Sequence, residues 1–209
     1  MNIPLKMNRD FEKAMAVLNE KYVSLRIIHQ GGIEMIVVNM FGAPGAGKST
    51  GAAYVFSKLK MAGINAELVT EFAKDKVWEG SQAVFQNQAY IFGKQYFRIS
   101  RLQDKVDVVI TDSPILLSSF YNKDELLGKE LDALVTKVFE SYQNFNVYIN
   151  RVKAYNPAGR FQTEAESDKL AVDLYNFLNN HGVTCKHYTG SEEGYDVLVS
   201  DILKVLKER

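Results

Sequence analysis

A nine-residue segment that is rich in glycine and ends in a lysine and two hydroxyl side chains carries the clearest chemistry in the sequence. It consists of Gly42, Ala43, Pro44, Gly45, Ala46, Gly47, Lys48, Ser49 and Thr50. This spacing matches the P-loop pattern G-x-x-x-x-G-K-[ST]. Glycines let successive backbone N–H groups turn inward, and the positive end of a following helix attracts an anion. The segment therefore predicts a binding site for the phosphates of a nucleotide.

Two side chains of this segment have distinct predicted roles. The ammonium of Lys48 would reach the β and γ phosphate oxygens, and the Ser49 hydroxyl would complete the oxygen shell of a Mg²⁺ ion. The alternative interpretation is a glycine-rich turn that has a lysine beside it by chance. The hydrophobic run 35–41 before the segment and the helical pattern after it favour the P-loop.

Two carboxylates follow predicted strands at positions suited to catalysis. Asp112 ends the apolar run 106–111 and is the candidate Walker B acid on the Mg²⁺ side of the phosphates. It could also cap a helix that begins at Ser113 and Pro114, and both roles can coexist. Glu71 follows the second strand and could take a proton from an acceptor hydroxyl, or lie in solvent as a surface carboxylate. Ligands of parallel sheets bind outside the carboxyl ends of the strands, so these groups should face one cleft.

The elements that position these residues are indicated by short β-branched or aromatic runs that alternate with longer segments of helical periodicity. The predicted strands span residues 35–41, 66–70, 106–111, 145–149 and 183–188. The predicted helices span residues 48–61, 82–103, 124–142, 168–180 and 196–207, with stops at Gly63 and at His181-Gly182. This alternation is typical of an α/β fold with a mainly parallel sheet. We expect the α/β/α sandwich of P-loop NTPases, with five core strands.

The first 32 residues lie outside this alternation. They contain an amphipathic helical pattern at 10–22, an apolar run at 23–28 and a break at Gly31-Gly32. We expect residues 1–32 to be an N-terminal appendage that packs on the core, adds a strand or forms an oligomer contact. Residues 33–209 are expected to form a single P-loop domain, and its helix at 124–142 is the other candidate surface for a homo-oligomer.

The composition excludes several classes of protein. Lysine and arginine total 25, and aspartate and glutamate also total 25, so there is no global positive field that would attract nucleic acid. The single cysteine, Cys185, cannot form an internal disulfide, and no apolar run approaches the roughly 20 residues of a membrane span. The three histidines do not cluster, which leaves no ligand set for zinc or haem. We therefore expect a cytoplasmic protein with no membrane partner.

Several segments resemble the P-loop kinases of the nucleoside and nucleotide kinase group, in particular deoxynucleoside kinases and ribosylnicotinamide kinases. Besides the P-loop, the similar segments are Thr70-Glu71-Phe72-Ala73 followed by Trp78, Phe85-Gln86-Asn87-Gln88-Ala89-Tyr90 and the basic stretch 98–102. At the end of the third strand, where deoxynucleoside kinases have acid-Arg-Ser, this chain has Asp112-Ser113-Pro114. The resemblance implies phosphoryl transfer from ATP, with Lys48, Glu71 and Asp112 as catalytic residues and Mg²⁺ held by Ser49 and Asp112. The domain at 33–209 would then be kinase-like.

The same resemblance implies where an acceptor would bind. The candidate substrate-binding residues are Glu71, Trp78, Phe85, Gln86, Gln88, Tyr90 and Arg98. The three aromatic rings could stack on a planar base, and either glutamine could bridge to its edge through paired donor and acceptor groups. The arginine could meet a substrate phosphate. The alternatives are aromatic residues that pack into the core at helical spacing, and an arginine that is solvated on its helix.

A basic segment after the fourth predicted strand is typical of a lid that closes over phosphates. The expected lid, around 151–166, begins with basic residues, contains Pro157 and Gly159, and ends in acidic residues. Kinases of this group place lid arginines on the transferring phosphoryl group, which makes Arg151 and Arg160 candidate catalytic residues. A solvated basic loop is the alternative.

Three functions follow as hypotheses. The favoured one is an ATP-dependent kinase whose acceptor is a nucleoside, a nucleotide or a related small molecule. The second keeps phosphoryl transfer but places the acceptor in nucleic acid, as a base or an end in DNA, and requires Lys94, Arg98, Arg101 and Lys105 to share one basic stripe. The third is a nucleotide-hydrolysing switch, in which water is the acceptor and a partner responds to the nucleotide state.

Overall fold

The central sheet has five strands, all parallel. In the computed structural model, which describes residues 35–156 and 163–209, the strands are β1 (Ile36–Phe41), β2 (Ala66–Val69), β3 (Val108–Thr111), β4 (Gln143–Asn150) and β5 (Lys186–Thr189). Their order across the sheet is β2-β3-β1-β4-β5. The predicted α/β class and the predicted number of core strands are confirmed.

Helices cover both faces of this sheet. In the described ranges they are α1 (Lys48–Met61), α2 (Phe72–Trp78), α3 (Gln88–Ser100), α4 (Leu117–Tyr121), α5 (Gly128–Glu140), α6 (Glu164–Asn180) and α7 (Glu192–Lys207), with a 3₁₀ turn at Gln82–Gln86. Helices α1 and α7 bury residues such as Val55 and Leu198 against one face. Helices α3, α5 and α6 bury residues such as Ile99, Val135 and Leu178 against the other. The fold is therefore the predicted three-layer sandwich.

Strand β1 is buried over its whole length because it lies in the middle of the sheet. Ile36, Val38 and Met40 belong to the core beneath α1 and α7, whereas Val37 and Phe41 belong to the core on the other face. Burial of such a side chain contributes about 1.5–3 kcal/mol. The glycine-rich segment that follows β1 therefore starts from a firmly held strand.

The helix stops predicted at two glycines agree with the structure. Gly63 adopts a φ of 77°, and its N–H donates to the carbonyl of Lys60 while the N–H of Ile64 donates to the carbonyl of Leu59. Gly182 adopts a φ of 66° after α6. Glycine takes this left-handed conformation without the steric cost that a Cβ would bring, which ends each helix cleanly.

Four of the five predicted helices have different limits in the structure. Helix α5 (Gly128–Glu140) is shorter than the predicted 124–142, and α7 begins at Glu192, four residues earlier than predicted. The segment 82–103 is divided into the 3₁₀ turn and α3, because Asn87 leaves helical geometry and its side chain caps α3. Helix α6 begins at Glu164, four residues earlier than predicted, because Thr163 and Glu166 form a capping box. Helix α2, which has seven residues, is not predicted from the sequence pattern. The helix start expected at Ser113 and Pro114 differs in the structure, because α4 has five residues, begins at Leu117 and has Leu116 as its N-cap.

Two predictions fall partly or wholly outside the described residues. The appendage at 1–32 lies outside them, and so does Arg160 in the expected lid. The division into an appendage and one domain with a lid therefore stays a prediction. Among the residues that the structure describes, every helix is too short or too polar to cross a bilayer.

Candidate active site

The glycine-rich segment forms an open loop between β1 and α1. Gly42, Gly45 and Gly47 have φ values of 143°, 82° and 102°, in the region that favours glycine. A Cβ at Gly42 would also lie only 2.8 Å from the carbonyl oxygen of Ile149. Gly47 is the N-cap of α1 and has no side chain that could cap the helix. The first backbone N–H groups of α1 can therefore bind an anion.

Lys48 is the first residue of α1 and folds back over the loop. Its Nζ donates hydrogen bonds to the carbonyl oxygens of Gly42 at 2.7 Å and Ala43 at 3.1 Å. Ser49 and Thr50 follow in the first turn of α1 with exposed side chains. The loop thus presents one ammonium and two hydroxyls beside the helix N-terminus, which is the donor set that a nucleotide triphosphate requires.

Three residues from the C-terminal part of the chain brace this loop. The Tyr195 hydroxyl donates to the carbonyl of Gly47 at 2.9 Å, and the Ser167 hydroxyl donates to the carbonyl of Pro44 at 2.7 Å. Gly190 packs so closely that a Cβ there would lie 2.2 Å from the carbonyl oxygen of Ala46. No local sequence pattern marks these three residues, because they lie more than a hundred residues from the loop along the chain.

The two predicted carboxylates come together at the ends of neighbouring strands. Asp112 follows β3, is 5% exposed, and accepts the backbone N–H of Glu71 on its Oδ1 at 3.1 Å. Burial raises the pKa of Glu71, the charge of Lys48 opposes that rise, and the charge of Asp112 adds to it. Lys48, Glu71 and Asp112 therefore share one electrostatic environment, and the raised pKa makes the Glu71 carboxylate a stronger proton acceptor than a solvated one.

Tyr121 is a further residue of this cleft, and it is not predicted from the sequence. It lies on α4, and its side chain is 40% exposed. Burial of its hydroxyl and the nearby charge of Glu71 raise its pKa to about 12, so it stays a neutral hydrogen-bonding group at physiological pH. Its signal in the sequence is weak, because α4 has five residues and follows the third strand without a clear periodicity.

The predicted aromatic residues differ in their placement. Trp78 is 73% exposed and Tyr90 is 43% exposed, so neither is a core residue. The ring of Tyr90 stands edge-on to the ring of Phe72, with 5.5 Å between the ring centres. Phe72 directly follows Glu71 in the chain. Phe85 is half-buried in the 3₁₀ turn.

The two predicted glutamines also differ. Gln86 is exposed at the end of the 3₁₀ turn. Gln88 is 9% exposed, and its Nε2 donates to the carbonyl of Phe85 at 3.3 Å. Of the two, Gln86 is the one that keeps its amide in contact with solvent.

Arg98 holds α3 against the end of β2 and the start of α2. Its guanidinium donates to the carbonyl of Thr70 at 3.0 Å and to Asp75 at 2.8 Å, and it lies 5.3 Å from the ring centre of Phe72. The side chain remains 28% exposed between these partners. Its contact with a substrate phosphate stays a prediction.

Arg151 leaves the end of β4 and points to the start of α6. Its guanidinium forms ion pairs with Glu164 at 3.3 Å and with Asp168, and lies 5.4 Å from the ring centre of Tyr155. These acids hold it at the base of the expected lid. Its role in catalysis, like that of Arg160, stays a prediction.

These features define a class of protein. An all-parallel sheet of order β2-β3-β1-β4-β5, with a P-loop after β1 and acids at the ends of β2 and β3, is an α/β fold of the P-loop type. The family model described as AAA domain matches residues 37–193, which is more than half of the chain. The chain therefore belongs to the AAA domain family, whose members bind nucleotides.

Solved structures similar to this chain include two kinases, and the first of them supports the fold. A deoxyadenosine kinase from M. mycoides superposes with a TM-score of 0.50 at 16% identity, covering 83% of this chain and 100% of the other. An APS kinase variant from Mycobacterium tuberculosis gives a TM-score of 0.35 at 20% identity, covering 70% of this chain and 99% of the other. A search of curated protein sequences finds no match to this chain.

Proposed function

We propose that this protein is a kinase that transfers the γ-phosphoryl group of ATP to a hydroxyl of a nucleoside, a nucleotide or a related small molecule. The observation that carries the proposal is the arrangement of Glu71 and Asp112 at adjacent strand ends in the field of Lys48. A hydrolytic switch needs a group that orients water, whereas a buried carboxyl with a raised pKa suits removal of a proton from an acceptor hydroxyl.

Each residue of the cleft has a role in this reaction. The P-loop N–H groups and Lys48 bind the phosphates, and Glu71 orients the acceptor hydroxyl. The acceptor oxygen forms a bond to the γ-phosphorus while the bond from that phosphorus to the bridging β-oxygen breaks. The hydroxyl proton passes to Glu71, and ADP leaves. Arg151 and Arg160 neutralise charge on the transferring group.

Magnesium fits the donors that the cleft provides. The Ser49 hydroxyl and the second oxygen of Asp112 are hard oxygen ligands, which Mg²⁺ prefers. Within the described ranges, no group of three His, Cys, Asp or Glu side chains could hold a metal alone, so the ion would depend on phosphate oxygens and water. Bound there, it would neutralise charge on the β and γ phosphates.

A planar base is supported as part of the acceptor by exposed aromatic side chains, of which Tyr121 lies near Glu71 and Tyr90 contacts Phe72, the next residue in the chain. Trp78, Tyr90 and Tyr121 keep 73%, 43% and 40% of their surface accessible. Exposed aromatic residues around a cleft are well suited to stack on a base. The hydroxyl of Tyr121 can also donate to a polar group of the acceptor, because its pKa is raised to about 12.

A nucleic-acid acceptor is the second candidate, and one surface favours it. A pocket of about 430 Å³ along the open edge of β2 is lined by Lys94, Arg98 and Arg101 together with Phe97, which is 64% exposed. Basic groups beside an exposed aromatic ring are typical of single-strand binding. Lys105, the fourth member of the predicted basic stripe, is not part of the pocket lining.

The test is release of ADP from Mg·ATP in the presence of different acceptors. The panel contains ribonucleosides, deoxynucleosides, their monophosphates, nicotinamide riboside, and single-stranded and duplex DNA. We expect strong stimulation by one small acceptor, and a loss of at least about a hundredfold in the Lys48→Ala variant. Lys60→Ala, at an exposed position of the same helix, is the matched control and should behave as the wild type.

The other outcomes select the other functions. Stimulation by DNA alone would replace the small acceptor with nucleic acid. Slow release that depends on Lys48 but responds to no acceptor would contradict a kinase and favour a hydrolytic switch. Release that survives Lys48→Ala would contradict the assignment of the P-loop as the phosphate site.

A further inference from the structure

Gln95 is a polar residue in the buried face of α3. It is 2% exposed, and the other buried members of that face include Ile91, Phe92 and Ile99. A buried amide costs roughly 2–7 kcal/mol when it lacks partners, so its presence in a core position requires hydrogen bonds that compensate. The contacts of this amide lead directly to the candidate active site.

The Gln95 side chain bridges the ends of two strands and the start of α2. Its Oε1 accepts the backbone N–H of Phe72 at 3.1 Å. Its Nε2 donates to the carbonyl of Thr70 at 3.4 Å and to the hydroxyl of Thr111 at 3.3 Å. The two backbone contacts lie on either side of Glu71, and the hydroxyl contact lies one residue before Asp112.

The position of β2 explains why such a bridge is needed. Strand β2 is at the edge of the sheet, and it pairs only with β3 among the described strands. Its last paired residue is Val69, so the ladder does not hold the peptide that carries Glu71. The N–H of Glu71 is held by Asp112, and Arg98 shares the carbonyl of Thr70 with Gln95, whereas the N–H of Phe72 is held by the amide of Gln95.

We propose that Gln95 is the positioning residue that sets Glu71 against Asp112 and the P-loop for phosphoryl transfer. This inference rests on the proposed kinase function. An amide is required because one end of the side chain must accept a backbone N–H while the other donates to a carbonyl and a hydroxyl. The residue touches neither nucleotide nor acceptor, so its effect is on the chemical step and not on binding.

The test replaces the amide without changing the volume of the side chain. Gln95→Met should lower kcat at least about tenfold, because a misplacement of 1 Å in a catalytic group can cost about a hundredfold. The affinity for ADP should stay within about twofold, since the P-loop is untouched. Gln95→Glu keeps the acceptor oxygen but loses the donors, so its kcat should lie between that of the wild type and that of Gln95→Met. It also gives a second, polar variant should the methionine fail to fold.

A control and a second readout separate positioning from general stability. Tyr188→Phe removes a buried hydroxyl bond to Asp201 at 2.8 Å on α7, away from the cleft. It should lower the melting temperature without changing kcat. Hydrogen exchange at the Phe72 amide should accelerate in Gln95→Met, which loses the acceptor oxygen, and not in Gln95→Glu or Tyr188→Phe. An unchanged kcat in Gln95→Met, or an unchanged exchange rate at Phe72, would overturn the proposal.

The same experiments distinguish this inference from the proposed function. If the wild type phosphorylates no acceptor, the kinase function fails, and exchange at Phe72 still decides whether Gln95 holds this peptide. If the wild type is active and Gln95→Met matches its kcat, the kinase function stands and the positioning role is wrong.

Discussion

Removal of the Tyr195 hydroxyl tests whether α7 braces the P-loop. The ring of Tyr195 is 3% exposed and packs on Gly51, where a Cβ would lie 2.5 Å from its Cε1 atom. Its hydroxyl donates to the carbonyl of Gly47 at 2.9 Å. The variant Tyr195→Phe keeps the ring and removes only this bond.

The geometry at Gly47 sets the size of the effect. Its carbonyl also accepts the N–H of Gly51 at 2.8 Å, so it keeps one partner in the variant. The loss should therefore be close to the net value of one hydrogen bond, about 1 kcal/mol, and not the larger cost of an orphaned group. For a chain of this length that corresponds to a fall in Tm of about 2–4 °C. Nucleotide affinity should fall by up to about fivefold.

Thermal unfolding and titration with Mg·ATP measure the two effects, and Tyr54→Phe is the matched control. The Tyr54 hydroxyl makes an exposed bond to Asp196 at 2.7 Å on the same side of the sheet. Exposed bonds of this kind contribute little, so the control should stay near the wild type. If Tyr195→Phe has the same Tm and the same affinity as Tyr54→Phe, the reasoning that α7 braces the loop is refuted.

Two further variants test the cleft. Glu71→Gln should lower kcat about a hundredfold or more, because a proton acceptor is lost. Its pKa is raised in the folded state, so its favourable contribution to stability is present below the unfolded pKa of about 4.3 and disappears as pH rises through the folded value. The variant should therefore have a higher Tm than the wild type at about pH 8 and an equal Tm at about pH 4, and an equal Tm at both would contradict the raised pKa. Gly190→Ala should weaken nucleotide binding at least about tenfold, because its Cβ would lie 2.2 Å from the Ala46 carbonyl oxygen. Gly93→Ala, which meets nothing within 4 Å, should bind nucleotide as the wild type does. Titration calorimetry of both alanine variants checks this, and equal affinities would rule out the close approach at Gly190.

The parts of the fold that local sequence controls are the parts predicted from it. Helix α1 has the predicted limits, because a P-loop fixes its first residue and Gly63 fixes its end. Strands β1 to β4 overlap the predicted runs, whereas β5 (Lys186–Thr189) begins three residues later than its predicted span of 183–188. At these positions, the residues that determine the structure are close neighbours in the sequence.

The parts that depend on distant contacts are the parts that sequence patterns miss. Helices α2 and α4 are too short to show periodicity. Helix α2 packs against α3, and α4 packs against α3 and α5. The placement of Glu71 and Asp112 follows from the rule for strand ends. The bracing hydroxyl of Tyr195 and the amide of Gln95 could not be inferred, because a buried polar residue in a helical pattern looks like any other until its partners are known.

Nucleotide binding must change the contacts of Lys48, and this explains why the bracing residues matter. Its ammonium holds the carbonyls of Gly42 and Ala43, and a triphosphate would compete for the same donors. The exchange favours the phosphate, because hydrogen bonds between charged groups are about twice as strong as those to neutral carbonyls. When Lys48 turns to the phosphate, the bonds from Ser167 and Tyr195 remain and keep the loop open. The preorganisation of the site thus depends on α6 and α7, so substitutions there should weaken nucleotide binding even though they lie outside the P-loop.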